Sequence, residues 1–175
     1  MTLFTILLFV HVLGAIVAFG PAFSFPIIGA MSGKEPMHAN FGTRVSLRLA
    51  QVQLTPLAFL QGITGLALIY VGNIDLFKST WLLIAIVLYV IALGYAGAVQ
   101  SPVVKRVIEL SGGVPRPGAG PAGGPPAGGP PAGGPPAGGP PPELVAAIRK
   151  VQRGGLFLIG LIVAIVFLMV TKLRF

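Results

Sequence analysis

Four apolar runs, each about as long as a bilayer is thick, govern what this chain can fold into. A hydrocarbon core of about 30 Å needs roughly 20 helical residues at about 1.5 Å rise each. Runs of that kind cover about 3–30, 52–72, 80–100 and 155–171. Hydrocarbon offers no water to pair backbone groups, so each run must be a helix. Only 9% of the 175 residues are charged, against about 25% in a soluble domain. The expectation is an all-α membrane protein, a single-domain four-transmembrane-helix bundle. In the first run Gly20–Pro21 and Pro26 predict a kink near one end. In the second, Pro56 is tolerable if a neighbouring helix satisfies the freed carbonyl. A cleaved secretory signal is the competing reading of the first run. No Lys or Arg precedes it, and its apolar character continues through PAFSFPIIGA, so a mature helix is expected.

The net charge of +8 is arranged for a bilayer and offers no basic face for nucleic acid. The loop after the first span holds Lys34, Arg44 and Arg48, and the loop before the fourth holds Lys105, Arg106, Arg116, Arg149, Lys150 and Arg153. The other side has only Lys78, Lys172 and Arg174. The excess of Lys and Arg marks both long loops as cytoplasmic and both termini as outside, in a bacterial cytoplasmic membrane. There is no cysteine, which removes disulfides and thiolate metal sites together.

Between Gly112 and Pro142, 24 of 31 residues are Gly or Pro, with four tandem copies of PAGGP from Pro121 to Pro140. Such a segment has too little apolar side chain to offset chain entropy, and its period of five is not collagen's three. It reads as a disordered Pro/Gly-rich cytoplasmic loop, a tether. No two of its prolines stand in the P-x-x-P spacing that proline-recognition modules read. Pro142 and Glu143 suit a helix start. The flanks LVAAIRKVQR, Lys105 with Glu109, and Asn40–Gln51 read as amphipathic helix carrying solvated or lipid-phosphate-facing charges. In Asn40–Gln51, Phe41, Val45 and Leu49 form one stripe and Arg44 and Arg48 another.

Ionisable groups inside a bilayer are rare and mark candidate sites. The clear case here is His11, whose helical neighbours Gly14, Ala15 and Ala18 let another backbone approach, so its ring should face the bundle. Counting eight residues from the outer end of each span assigns Thr64, with Gln61 one turn deeper, and Tyr89 to the same depth. Ala164 and Gly160 on the fourth span would leave room beside them. The commoner use of such a layer is interhelical hydrogen bonding. The functional alternative makes His11, Gln61, Thr64 and Tyr89 a cofactor site. His11 would then ligate the iron of a haem b or serve a quinone, with Tyr89 as hydrogen-bond partner. His38 belongs to the cytoplasmic loop, so a second axial imidazole would come from a homo-oligomer.

No span contains a carboxylate, and no phosphate loop, H-E-x-x-H or nucleophile elbow occurs. Binding or structural roles are therefore expected ahead of catalysis, with a small-solute permease or channel subunit as a further alternative. The pairs Gly14/Ala18, Ala92/Ala96, Gly94/Ala98 and Gly160/Ala164 are expected to pack the chain's own bundle. At HVLGAIVAFG, with its H-x-x-G from His11 to Gly14 and a glycine at the helix end, the chain resembles the DUF2269 family of bacterial four-span integral membrane proteins. The resemblance implies membrane location and fold but no activity. Copper-resistance D-like proteins and the haem-dependent protoporphyrinogen oxidases of bacteria are similar in bearing a first-helix histidine; the second intramembrane histidine of the latter has no counterpart here. The PAGGP insert departs from the family pattern. Deleting Gly120–Pro140 should leave membrane insertion and monodisperse purification intact, because a tether this poor in apolar side chains contributes nothing to the bundle; loss of insertion in a fractionation assay would refute the tether reading.

Overall fold

The computed structural model describes residues 2–34, 39–112 and 141–172. His38 and the PAGGP tract lie outside the described residues. Those described form the expected all-α membrane fold. Four rods are long and apolar enough to cross a membrane: Leu3–Ser32, Asn40–Val71, Thr80–Ser111 and Pro142–Thr171. At 30 or 32 residues each, they reach about 45 Å, half as long again as a hydrocarbon core of about 30 Å. Helical structure therefore extends from the apolar runs into the charged flanks.

Three rods are broken, and each break has a proline behind it. The first comprises α1 (Leu3–Phe19), a 3-10 turn (Gly20–Ser24) and α2 (Phe25–Lys34). The second comprises α3 (Ala39–Leu49), a π turn (Ala50–Leu54) and α4 (Thr55–Val71). The third comprises α5 (Thr80–Tyr95), a π turn (Ala96–Gln100) and α6 (Ser101–Gly112). Only α7 (Pro142–Thr171) is continuous. Each π turn runs straight into a hydroxyl residue and a proline, Thr55–Pro56 in one case and Ser101–Pro102 in the other. A proline ring clashes with the carbonyl four residues back and donates no hydrogen. The backbone widens by one residue instead, so that the amides of Thr55 and Ser101 reach back to Ala50 O and Ala96 O. The Thr55 hydroxyl adds a second bond to Ala50 O at 2.8 Å.

All three breaks lie at one depth. Asn40 donates to Ile108 O and to the Ser111 hydroxyl, aligning the start of the second rod with the end of the third. From that level both π turns are about 10–15 residues away, or roughly 15–22 Å. The 3-10 turn touches the first π turn and α7, and α7 touches the second. Two glutamines finish this layer. Pro21 has no amide hydrogen, which deprives Val17 O of its helical donor, and Gln53 Nε2 supplies one at 2.9 Å. Gln100 Nε2 donates to Val151 O at 2.9 Å, lying against Gly154, where a Cβ would also come within 2.9 Å of the Tyr95 hydroxyl.

Beyond the break layer toward the termini, α1 packs on α4 and α5 on α7; on the other side, α2 packs on α3, α3 on α6 and α6 on α7. The core is thin and made largely of small side chains, with Ala18, Ala58 and Ala85 almost fully buried. Large side chains such as Phe9, Ile16, Ile63 and Val90 point outward, which lipid tolerates because its tails are as apolar as leucine. The second and third rods are joined by a turn in which Asn73 takes the left-handed conformation, φ 46°. There Asp75 Oδ1 accepts from the amides of Phe77 and Lys78.

The packings sort the flanking charges and the small residues. Arg106 reaches Glu109, at 3.6 Å, and also Glu143 at 3.8 Å; at i,i+3 the long guanidinium spans the turn. Phe41 is 69% exposed, because α3 meets its neighbours through Asn40 and through Gly42, which faces Ile28 and Ser32. Of the small-residue pairs, Gly14/Ala18 serves the bundle, whereas Gly94, Ala98 and Gly160 face outward.

The pairing of Gln53 with a proline-freed carbonyl yields a coupled prediction. Gln53→Leu should cost about 1–2 kcal/mol by orphaning Val17 O. In a Pro21→Ala background, where an amide is again present, the same change should cost less than about 0.5 kcal/mol. Denaturation in mixed micelles, followed by circular dichroism, measures both.

Candidate binding site around His11

The site grows from two glycines and two polar residues in the segment Gln61–Gly65, QGITG, on α4. Glycine is a poor helix former in water, but here it lets α1 come close. A Cβ at Gly65 would lie 3.4 Å from His11 Cε1, and one at Gly14 would lie 2.6 Å from Gln61 Oε1. The imidazole therefore rests over Gly65, and the Gln61 amide over Gly14. Gln61 and Thr64 are the only buried polar residues among those described, at 6% and 7% exposure.

Their hydrogen bonds form a clasp between α1 and α4. Gln61 Nε2 donates to His11 O at 2.9 Å. His11 Nδ1 and Thr64 Oγ1 are 2.8 Å apart. The Thr64 hydroxyl also lies 3.0 Å from Leu60 O and 3.2 Å from Gln61 O of its own helix, a habit of threonine in helices. A hydroxyl has one hydrogen, so it accepts from His11 Nδ1–H when it donates to its own helix and donates to Nδ1 when it does not; in the first arrangement Nε2 keeps a lone pair. No partner for Nε2 occurs among the described residues, and the ring is half-buried.

Tyr89 stands apart from this cluster. Its hydroxyl donates to Ala58 O at 2.7 Å and fits over Gly62, where a Cβ would approach it to 2.8 Å. The depth count assigned four residues to one layer; three of them meet, and the fourth braces α5 against a neighbouring face of α4. Depth follows from helical rise alone, but direction around the axis depends on where a slot opens, and Gly62 opens one for Tyr89. Gly160 has nothing near it and is exposed. Sequence reading missed Gly62 and Gly65 as seats, although two glycines bracketing polar residues within an apolar helix were a usable signal.

Among the described residues no three His, Asp or Glu side chains gather as a metal cage. His11 could contribute one ligand only, to a metal whose other positions are filled by something else. A family model described as "Predicted integral membrane protein (DUF2269)" matches residues 5–112, well over half of the chain. The chain belongs to this family. The DUF2269 match opens within the first turn of α1 and closes at the end of α6, so it takes in His11, Gln61, Thr64 and Tyr89. It leaves out α7 and the Pro/Gly tract. No curated protein and no solved structure matches.

The close approach of α1 and α4 should tolerate no side chain at Gly14. Gly14→Val is expected to cost about 1–3 kcal/mol through overpacking against Gln61, whereas Gly160→Val, facing open space, should change stability by less than about 0.5 kcal/mol. Chemical unfolding of the two variants side by side checks the difference.

Proposed function

We propose that this integral membrane protein has a binding role within the bilayer, with His11 as the residue that meets the occupant and the Thr64–Gln61 clasp as its support. The observation that carries this reading is the 2.8 Å pair of His11 Nδ1 and Thr64 Oγ1, with Nε2 left without a partner among the described residues. With Nδ1–H donating to Thr64, Nε2 is free as an acceptor or ligand, and a half-buried imidazole in hydrocarbon is costly unless something covers it. Metal-binding histidines are held in this way, through the nitrogen that does not face the metal. Haem iron, which brings four ligands of its own, suits a single imidazole better than a bare ion does. A quinone carbonyl suits it less, because an unprotonated Nε2 has no hydrogen to donate. When bound, the haem would supply one-electron chemistry, and the protein would hold it by His11, with a second copy of the chain available for the other axial position.

The test is the absorption spectrum and iron content of detergent-purified protein made with haem in supply. The expected result is a Soret band with stoichiometric iron, abolished by His11→Ala and weakened by Thr64→Val. Colourless, iron-free wild type would reduce the clasp to a structural joint between α1 and α4.

A bacterial cytoplasmic membrane, with both termini outside, is the location that the charge distribution supports. Lys34, Arg44, Arg48, Lys105, Arg106, Arg149, Lys150 and Arg153 all belong to the inner flanks of the rods. The cysteine-free chain makes this simple to check. A single cysteine at Asn73 should react with a membrane-impermeant maleimide in intact spheroplasts, and one at Ser111 should react only after lysis; the opposite pattern would invert the topology.

A further inference from the structure

Below the break layer, α6 and α7 lie side by side with little between them but small side chains. Pro102 and Val103 on α6 face Ala146 and Ala147 on α7, leaving an open groove of ≈ 330 Å³ with Arg106 and Lys150 at its rim. The surface is almost wholly apolar apart from those two cations. This volume is at the low end of the roughly 300–1,000 Å³ of small-molecule sites. It suits part of a ligand whose remainder lies in the bilayer.

Depth identifies the occupant. From Thr80, at the outer start of α5, Pro102 is about 33 Å along the rod and Arg106 about 39 Å. From Thr171, at the outer end of α7, Lys150 is about 31 Å and Ala147 about 36 Å along. A hydrocarbon core of about 30 Å ends just short of the groove, and headgroups fill the next several ångströms. The groove thus opens where acyl chain gives way to phosphate, its apolar floor beside the first and its cations beside the second. Glu109 and Glu143 lie within 4 Å of Arg106, but both pairs are exposed and have little hold on the guanidinium. Lys150 has no ion pair among the described residues, and Arg149 precedes it on α7.

We propose that the α6–α7 groove is a site for an anionic phospholipid of the adjacent leaflet. Its glycerol and first methylenes lie on Pro102, Val103, Ala146 and Ala147, and its headgroup phosphate sits between Arg106 and Lys150. The lipid completes the contact between the third and fourth rods on the side where the described residues provide no filling side chain. This site is independent of the His11 cluster, which lies in the outer half of α1 and α4.

The experiment uses the full chain in phosphatidylcholine vesicles doped with spin-labelled phosphatidylglycerol or spin-labelled phosphatidylcholine, with the motionally restricted fraction read by electron paramagnetic resonance. One basic residue at a membrane surface is worth about a fivefold preference for anionic lipid. With Glu109 and Glu143 nearby, the wild type should restrict phosphatidylglycerol about tenfold more strongly than phosphatidylcholine. Arg106→Gln with Lys150→Gln should reduce that to twofold or less, while Arg44→Gln with Arg48→Gln, on α3, should leave it unchanged. Ala146→Phe, which fills the groove without altering charge at an exposed position, should lower the restricted phosphatidylglycerol fraction by itself. Preference that survives the first pair, or falls equally with the α3 pair, would show diffuse surface charge and overturn the site. Retention unaffected by Ala146→Phe would overturn the groove as its seat.

Discussion

Inside hydrocarbon every backbone amide and carbonyl must find a partner within the protein, and the rest of this structure depends on how it meets that requirement where proline prevents it. Pro21, Pro56 and Pro102 each remove a donor from a membrane helix. The chain answers in two ways. At Pro56 and Pro102 the helix widens into a π turn. At Pro21 it tightens into a 3-10 turn, and a side chain from the next rod repairs the orphaned carbonyl. These repairs fall at one depth and divide the bundle into an apolar half nearer the termini and a second half with charged surfaces.

The two halves are held together differently. In the half nearer the termini the helices meet through small residues and a few side-chain bonds to backbone carbonyls: Gln61 to His11, Tyr89 to Ala58 and, at the break layer, Gln100 to Val151. Such bonds have definite direction and give a thin core its specificity, since packing against lipid-like side chains distinguishes poorly between alternatives. In the other half, the amphipathic helices α3 and α6 carry the charged groups while packing on α2 and α7. Function has different materials in each half. The first holds an imidazole paired with Thr64, and the second a groove lined by Arg106 and Lys150.

Much of this was legible in the letters. Length and hydropathy implied the four helices, and Gly20–Pro21 marked where the first would deform. At Pro56 a neighbouring helix was expected to satisfy the freed carbonyl, and the helix widens into a π turn instead. The polarity of Gln61 and Thr64 at the depth of His11 also implied a contact that the structure contains. Tyr89 was assigned to the right depth and the wrong company, because helical rise gives height and says nothing of which face meets which neighbour. The outward orientation of Gly94 and Gly160 escaped notice for the same reason: a small residue permits close packing without requiring it.

By itself, then, the sequence determined the elements, their lengths and the places where their hydrogen bonding must fail, because these follow from local chemistry and the thickness of a bilayer. Only tertiary structure decided that three failures would share one layer, that Gln53 would repair the first of them, and that Thr64 would pair with Nδ1 of His11. It also decided that Arg106 and Lys150 would flank one groove. Each of these is a matter of rotation and registry between rods, set by which small residues admit a neighbour's backbone and which polar side chain reaches an open carbonyl.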